Sequence, residues 1–254
     1  MDNRQKKSNS FYDGLARKSE NLSEIVGRSP SFAGKEDVII RDIHKKLNIQ
    51  GGNSLLDIGC GFGNITIHFL EYAKNYNIEL TLLDIDSVIE RIKSDNRFDT
   101  ENVNLIKGTF PGEMSTSIDN KFNNILVYSV LHYTDHPELF IEKAVSFLEP
   151  GGTLLIGDLP NINRMGRFQS TEFGRIFEAK YKGKMISEIP KYRDQYHFVE
   201  QRKDDYNNLI NDDLVFETIR KYRSMGYDVW VVPQPAELPF SNSREDIIIK
   251  KWFK

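Results

Sequence analysis

The chain has a single cysteine, Cys60, among 254 residues. One cysteine excludes an internal disulfide and every metal site assembled from several thiolates. Long hydrophobic runs are missing as well. No apolar stretch approaches the roughly 20 residues that span a bilayer. The first residues, Met1-Asp2-Asn3-Arg4-Gln5-Lys6-Lys7-Ser8, are polar and lead into no signal-like apolar segment. The expectation is a cytoplasmic protein that meets no membrane. A charge excess of one sign is also lacking: 34 Lys and Arg face 37 Asp and Glu, a net charge of -3. That balance gives no long-range attraction for nucleic acid. Proline is scarce, and three of the nine, Pro233, Pro235 and Pro239, fall in one segment near the end. Such a segment cannot be a central strand.

What is present is an alternation of two periodicities. Residues 1–30 read as a polar lead-in with a short helix at 11–18. Beyond it, Ile39, Ile43 and Leu47 fall four apart with Ile40 beside them, an amphipathic helix that Gly51-Gly52 stops. Strands are expected at 54–58, 78–84, 103–107, 125–129 and 153–157, with helices at 64–75 and 88–94. A further helix before the last of these strands gathers Phe140, Ile141, Ala144, Phe147 and Leu148 on one face. Strands separated by helices of this length imply right-handed crossovers and a doubly wound α/β, Rossmann-like sheet, mostly parallel. The pattern breaks at Leu159-Pro160. Residues 161–211 are rich in Arg, Lys, Phe and Tyr and show weak helical periodicity, with ten Lys and Arg against seven acids. They read as an insertion within a domain covering 31–254. A helix at 212–225 and two strands, 228–232 and 246–252, close the chain.

The stretch with most chemical content is Leu55-Leu56-Asp57-Ile58-Gly59-Cys60-Gly61-Phe62-Gly63-Asn64, a buried strand entering a glycine turn and then a helix. Glycines allow a ligand close to the backbone at a helix N-terminus. A dinucleotide would place its pyrophosphate there, and the carboxylate of Asp57, two residues before the first glycine, would repel it. A ligand with a sulfonium and an ammonium and no phosphate is instead favoured by that acid.

With Leu82-Leu83-Asp84-Ile85-Asp86 ending the next strand, Tyr128-Ser129-Val130-Leu131-His132-Tyr133 after the fourth, and the turn Leu148-Glu149-Pro150-Gly151-Gly152-Thr153-Leu154, the sequence resembles the class I S-adenosylmethionine-dependent methyltransferases over about 32–158 and the final strand pair. The resemblance implies a seven-stranded sheet with an antiparallel last strand and S-adenosylmethionine as cofactor. It implies that Asp84 binds the ribose hydroxyls and that Tyr128 and Ser129 lie beneath the methionine and methyl group. Asp57, Gly59, Cys60, Gly61, Gly63 and Ile85 complete that side of the site. Where the family often has Asp after the third strand, this chain has Thr109 and Phe110, available to bond and stack on the adenine. No metal is implied.

In an open parallel sheet the ligand lies beyond the carboxyl ends of the strands. The insertion at 161–211, which starts from that rim, is therefore expected to act as a substrate lid. If the acceptor is a hydroxyl, His132 is the first candidate base, and Asp158, at the end of the fifth strand, could serve instead or orient the imidazole. The alternative for each is a packed, hydrogen-bonded structural residue. The expected reaction is methyl transfer to a hydroxyl or amine of a polar small molecule. A further resemblance, to methyltransferases encoded with bacterial surface-carbohydrate enzymes, implies a sugar or sugar nucleotide. Two other readings stay open, a nucleic-acid methyltransferase, which the lack of a basic face argues against, and a cofactor-binding protein without turnover. Acceptor and oligomeric state are left undetermined.

Overall fold

A computed structural model describes residues 3–18, 34–112, 118, 120–202 and 209–253. Seven strands form one sheet: β1 Ser54–Ile58, β2 Glu79–Asp84, β3 Asn104–Lys107, β4 Phe122–Tyr128, β5 Leu148–Leu159, β6 Tyr227–Pro233 and β7 Glu245–Lys251. Their order is β3-β2-β1-β4-β5-β7-β6. β1 to β5 pair in parallel, whereas β7 lies antiparallel between β5 and β6. The seven-stranded, mostly parallel arrangement matches the expectation. β5 is longer than the apolar run 153–157, because Leu148 pairs with Phe122 before the glycine turn and Leu159 pairs with Glu245 beyond it.

The sheet is buried on both faces, and residue alternation decides which side chain goes where. Leu55, Leu82, Leu126 and Leu155 face one way, onto α2 Glu36–Leu47, α3 Asn64–Tyr76 and α4 Asp86–Ser94. Their neighbours Leu56, Leu83, Ile125, Val127, Leu154 and Ile156 face the other way. There they meet Phe140, Ile141 and Ala144 of α5 Pro137–Ser146, and Leu214, Val215 and Tyr222 of the helix Asp212–Ser224.

The polar lead-in contains a longer helix than the expected 11–18. α1 runs Asn3–Lys18 and packs on α4 and on the 3-10 turn Leu131–Tyr133. The part of the lead-in at 19–33 lies outside the described residues. So does 203–208 of the insertion. The rest of the insertion forms α6 Ile162–Gln169, α7 Glu172–Lys182 and α8 Gln195–Arg202, before α9 Asp212–Ser224. Ile162, Tyr192 and Phe198 make a small core of their own there. Among the described residues no helix is long and apolar enough to cross a membrane.

Asn161 joins this unit to the sheet. Fully buried, its side-chain oxygen accepts from the amides of Asn163 and Arg164 and caps α6. Its amide nitrogen donates to Asp212 Oδ1 at 2.8 Å and to Glu245 Oε1 at 2.7 Å. Asn161→Ala loses the cap and takes one donor each from Glu245, which is buried, and Asp212, which is half-buried and keeps Arg167. The expected cost is about 2 to 4 kcal/mol, read from the urea midpoint at unchanged slope. An unchanged midpoint would show that these bonds contribute nothing net.

Candidate functional site

β1 hands the chain to α3 through a turn that needs glycine twice. Gly59 and Gly61 have φ of 74° and 63°. A Cβ on Gly59 would fall 2.5 Å from a Val130 methyl. Gly63 is the N-cap of α3. Thr66 on its first turn donates through its hydroxyl to the carbonyls of Cys60 at 2.8 Å and Gly61 at 3.2 Å. The carboxylate of Asp84, at the end of β2, holds the turn from the other side. Oδ2 accepts from the Gly61 amide at 2.8 Å, and Oδ1 from the Ile85 amide at 2.7 Å. Each oxygen keeps a second lone pair directed outward.

An open cleft of about 1000 Å³ lies over this turn at the carboxyl ends of the strands. Nine of the eleven residues expected to hold cofactor line it: Gly59, Cys60, Gly61, Asp84, Ile85, Thr109, Phe110, Tyr128 and Ser129. Phe110 brings a ring already packed edge-on against Phe140 at 4.7 Å. Asp57 and Gly63 do not line it. Asp57 is buried behind the turn, 3% exposed, and Gly63 supports the helix start.

The opposite wall was not anticipated. It is α1, which contributes Gln5, Ser8, Asn9 and Tyr12. Gln5 donates through Nε2 to the Phe110 carbonyl at 3.2 Å, and the Tyr12 hydroxyl donates to the Tyr133 hydroxyl at 2.8 Å. The four residues are spaced i, i+3, i+4, i+7, one face of a helix, and that spacing was the available signal. Among the described residues of 161–211, none lines the cleft. The insertion packs instead on the β6–β7 connection, where Phe177 and Tyr181 meet the ring of Phe240.

Neither His132 nor Asp158 lines the cleft. Asp158 has φ 62°, is 5% exposed, and is ion-paired with Arg244. Gln234 Nε2 donates to its Oδ1 at 3.2 Å, and the backbone N–H of Asp158 donates to Asp246 at 2.8 Å. Burial pushes this carboxyl up, but the Arg244 guanidinium and the hydroxyl of Ser129 outweigh it and hold the group below its ordinary range. Burial, and then the Arg244 charge, push His132 down to about 4. His132 is therefore a neutral imidazole at neutral pH, its ring tilted 47° against that of Tyr133 at 4.1 Å between centroids. Arg244 and Gln234 come from the connection before β7 and carry no sequence motif.

Residues 56–154 match a family described as a methyltransferase domain. A similar protein is phosphoethanolamine N-methyltransferase 1 of Zea mays, 29% identical over 155 residues, which are 59% of this chain and 29% of that protein. Another is chondramide synthase cmdD of Chondromyces crocatus, 24% identical over 70% of this chain and 4% of that one. The chain thus spans a third or less of the length of these two relatives. Among solved structures, N-methyltransferase NodS from Bradyrhizobium japonicum WM9, in complex with S-adenosyl-L-homocysteine, shares the fold. Its TM-score is 0.54 at 13% identity, over 96% of this chain and 98% of that one. Residues 56–154 thus resemble a methyltransferase domain, and the chain as a whole shares the fold of an S-adenosyl-L-homocysteine complex.

The electrostatics of the cleft suit a cationic ligand such as S-adenosylmethionine. Burial, and next the nearby Asp84, raise Asp57 to about 8. Burial raises Asp84 to about 6 against the pull of the Gly61 and Ile85 amides. The ionisation of these two carboxyls beside the glycine turn would be penalised further by a phosphate and is favoured by a cation. The outward lone pairs of Asp84 can accept two hydroxyl protons, as a ribose diol offers.

The acceptor form of Asp84 is the ionised one, so its pKa in the free protein sets a binding pH dependence. Above about pH 7 the Asp84 carboxylate is formed and its contribution to affinity is flat. As pH falls through 6 the group protonates, and at about pH 5 the cofactor Kd should be on the order of tenfold higher. Calorimetry across this range checks it. Asp84→Asn should be weaker by about 1.5 to 3 kcal/mol and lose the acid limb. A wild-type Kd flat down to pH 5 would refute the role given to Asp84.

Proposed function

We propose that the protein transfers the methyl group of S-adenosylmethionine to an amine of a polar small molecule. The observation that carries the reading is the cleft itself. It brings Gly59, Gly61, Asp84, Thr109, Tyr128 and Ser129 together against α1, with acids placed for a cationic cofactor. When bound, that cofactor supplies an electrophilic methyl carbon. The protein's work is then to position the acceptor in line and exclude water. Gly59 and Gly61 allow close approach, Asp84 fixes the ribose end, and the Tyr12–Tyr133 pair closes the cleft from α1.

The choice of amine over hydroxyl rests on the available bases. A neutral amine attacks with its own lone pair and sheds its proton afterwards. A hydroxyl must lose its proton as the new bond forms. His132, held near 4, and Asp158, held by Arg244, are both weak bases, and neither lines the cleft. The relatives named for N-methyl transfer, including phosphoethanolamine N-methyltransferase 1 and NodS, point the same way. A sugar hydroxyl is left without a supporting contact.

Purified protein with labelled cofactor and pools of polar amines tests this, product mass giving the atom modified. His132→Asn and Asp158→Asn, assayed separately, should keep cofactor affinity and lose less than roughly tenfold in turnover, which should rise with pH as the amine deprotonates. Loss of roughly a hundredfold or more from His132→Asn with affinity intact would make it a base and favour the hydroxyl.

A further inference from the structure

Helix α7 is built inside out. It buries Gly174, Glu178 and Ala179 and turns Phe173, Ile176 and Tyr181 to solvent, 66%, 48% and 49% exposed. The turn that follows adds Met185 and Ile186, 68% and 40% exposed. This orientation is locked. Glu178 faces inward because Lys182 pairs with it and Arg202 Nη1 lies 3.7 Å away. Gly174 lies so close to α6 that an added Cβ would fall 2.1 Å from the Phe168 carbonyl oxygen, so the helix cannot roll its apolar stripe inward.

Large apolar side chains exposed together on one side of a helix mark a contact surface. At roughly 200 Å² per large side chain, the five residues offer on the order of 500 Å², the larger part of the ~800 Å² that each partner contributes to a standard interface. Aromatic residues and Met are enriched in interface cores, and the exposed Lys180 and Lys184 share this face with them.

We propose that this stripe is where two copies of the chain pair, α7 against α7 in antiparallel orientation about a two-fold axis. A two-fold contact must be complementary to itself. α7 meets that condition through its charges: Glu172 stands in the first turn, while Lys180 lies in the last and Lys184 just beyond. Antiparallel pairing sets the acidic end of each helix against the basic end of the other, with Phe173, Ile176 and Tyr181 between. An anionic bilayer would attract the lysines but meet Glu172 and Glu188 on the same exposed segment. The pairing also bears on the site. The inner side of the stripe rests on Phe240, Arg244 lies over that ring at 5.2 Å, and Arg244 holds Asp158 behind the cleft.

Sedimentation of the full chain across micromolar concentrations tests the pairing. Wild type should be dimeric, and Phe173→Glu should raise the dimer Kd by roughly a hundredfold with the far-UV spectrum unchanged. Glu172→Lys should weaken the dimer several-fold, and adding Lys180→Glu and Lys184→Glu should restore it. A monomeric wild type overturns the proposal, and so does a dimer indifferent to Phe173→Glu, which would place the contact elsewhere, such as the β6 edge. Vesicles of phosphatidylcholine with phosphatidylglycerol form the second arm. A monomeric wild type that sediments with them while Phe173→Glu does not would assign the stripe to a membrane and also overturn the pairing.

Discussion

The bond from the Gly61 amide to the Asp84 carboxylate joins the carboxyl ends of the two parallel strands, β1 and β2, of a single crossover. It fixes the glycine turn after β1 relative to the end of β2 and orients the carboxylate, leaving its free lone pairs over the cleft. The Gly108 amide donates to the Asp84 carbonyl at 2.8 Å and ties in the end of β3. Three neighbouring strand ends thus converge on one residue. The floor of the cleft is rigid because the sheet beneath it is. Leu82 and Leu83 of β2 are buried on opposite faces, so Asp84 cannot shift without disturbing both layers of core.

The same convergence fixes the electrostatics. A carboxylate buried at a strand end is costly, and so is a second one behind it at Asp57. Placing both beside a turn whose Gly59, Cys60 and Gly61 amides are already hydrogen-bonded makes a site that resists ionisation until a cation or hydroxyl donors arrive. Part of the stability that full ionisation would require is withheld in the free protein, a pattern associated with functional sites. The ion pair of Asp158 with Arg244 is of another kind. It is internally compensated, joined to Gln234 and Asp246, and braces the wall that carries Ser129.

The sheet and the floor were legible because each rests on short-range pattern. Alternation marks β1 to β5, and the spacing of Asp57, Gly59, Gly61 and Asp84 follows from one crossover, so the sequence places them together without knowledge of the rest. Legibility failed where neighbours are distant in sequence. α1 has no apolar stripe to declare it, since its cleft face is Gln5, Ser8, Asn9 and Tyr12, polar residues that make sense only against Tyr133 and Phe110. The insertion looked weakly periodic for a physical reason: α7 exposes its large apolar residues and buries Glu178, the reverse of what amphipathic reading assumes. His132 and Asp158 sit at the right strand ends, but burial first and then Arg244 make His132 a poor base, and Arg244, from more than eighty residues away, holds Asp158 in an ion pair.

The central claim is that the acid-flanked glycine turn selects a cationic nucleoside ligand over a phosphate-bearing one. Calorimetric titration of the purified chain with S-adenosylmethionine, and in parallel with NAD, measures that directly. One-to-one binding of the first in the micromolar range with no detectable heat from the second is the predicted result. NAD binding as tight as that of S-adenosylmethionine would contradict it.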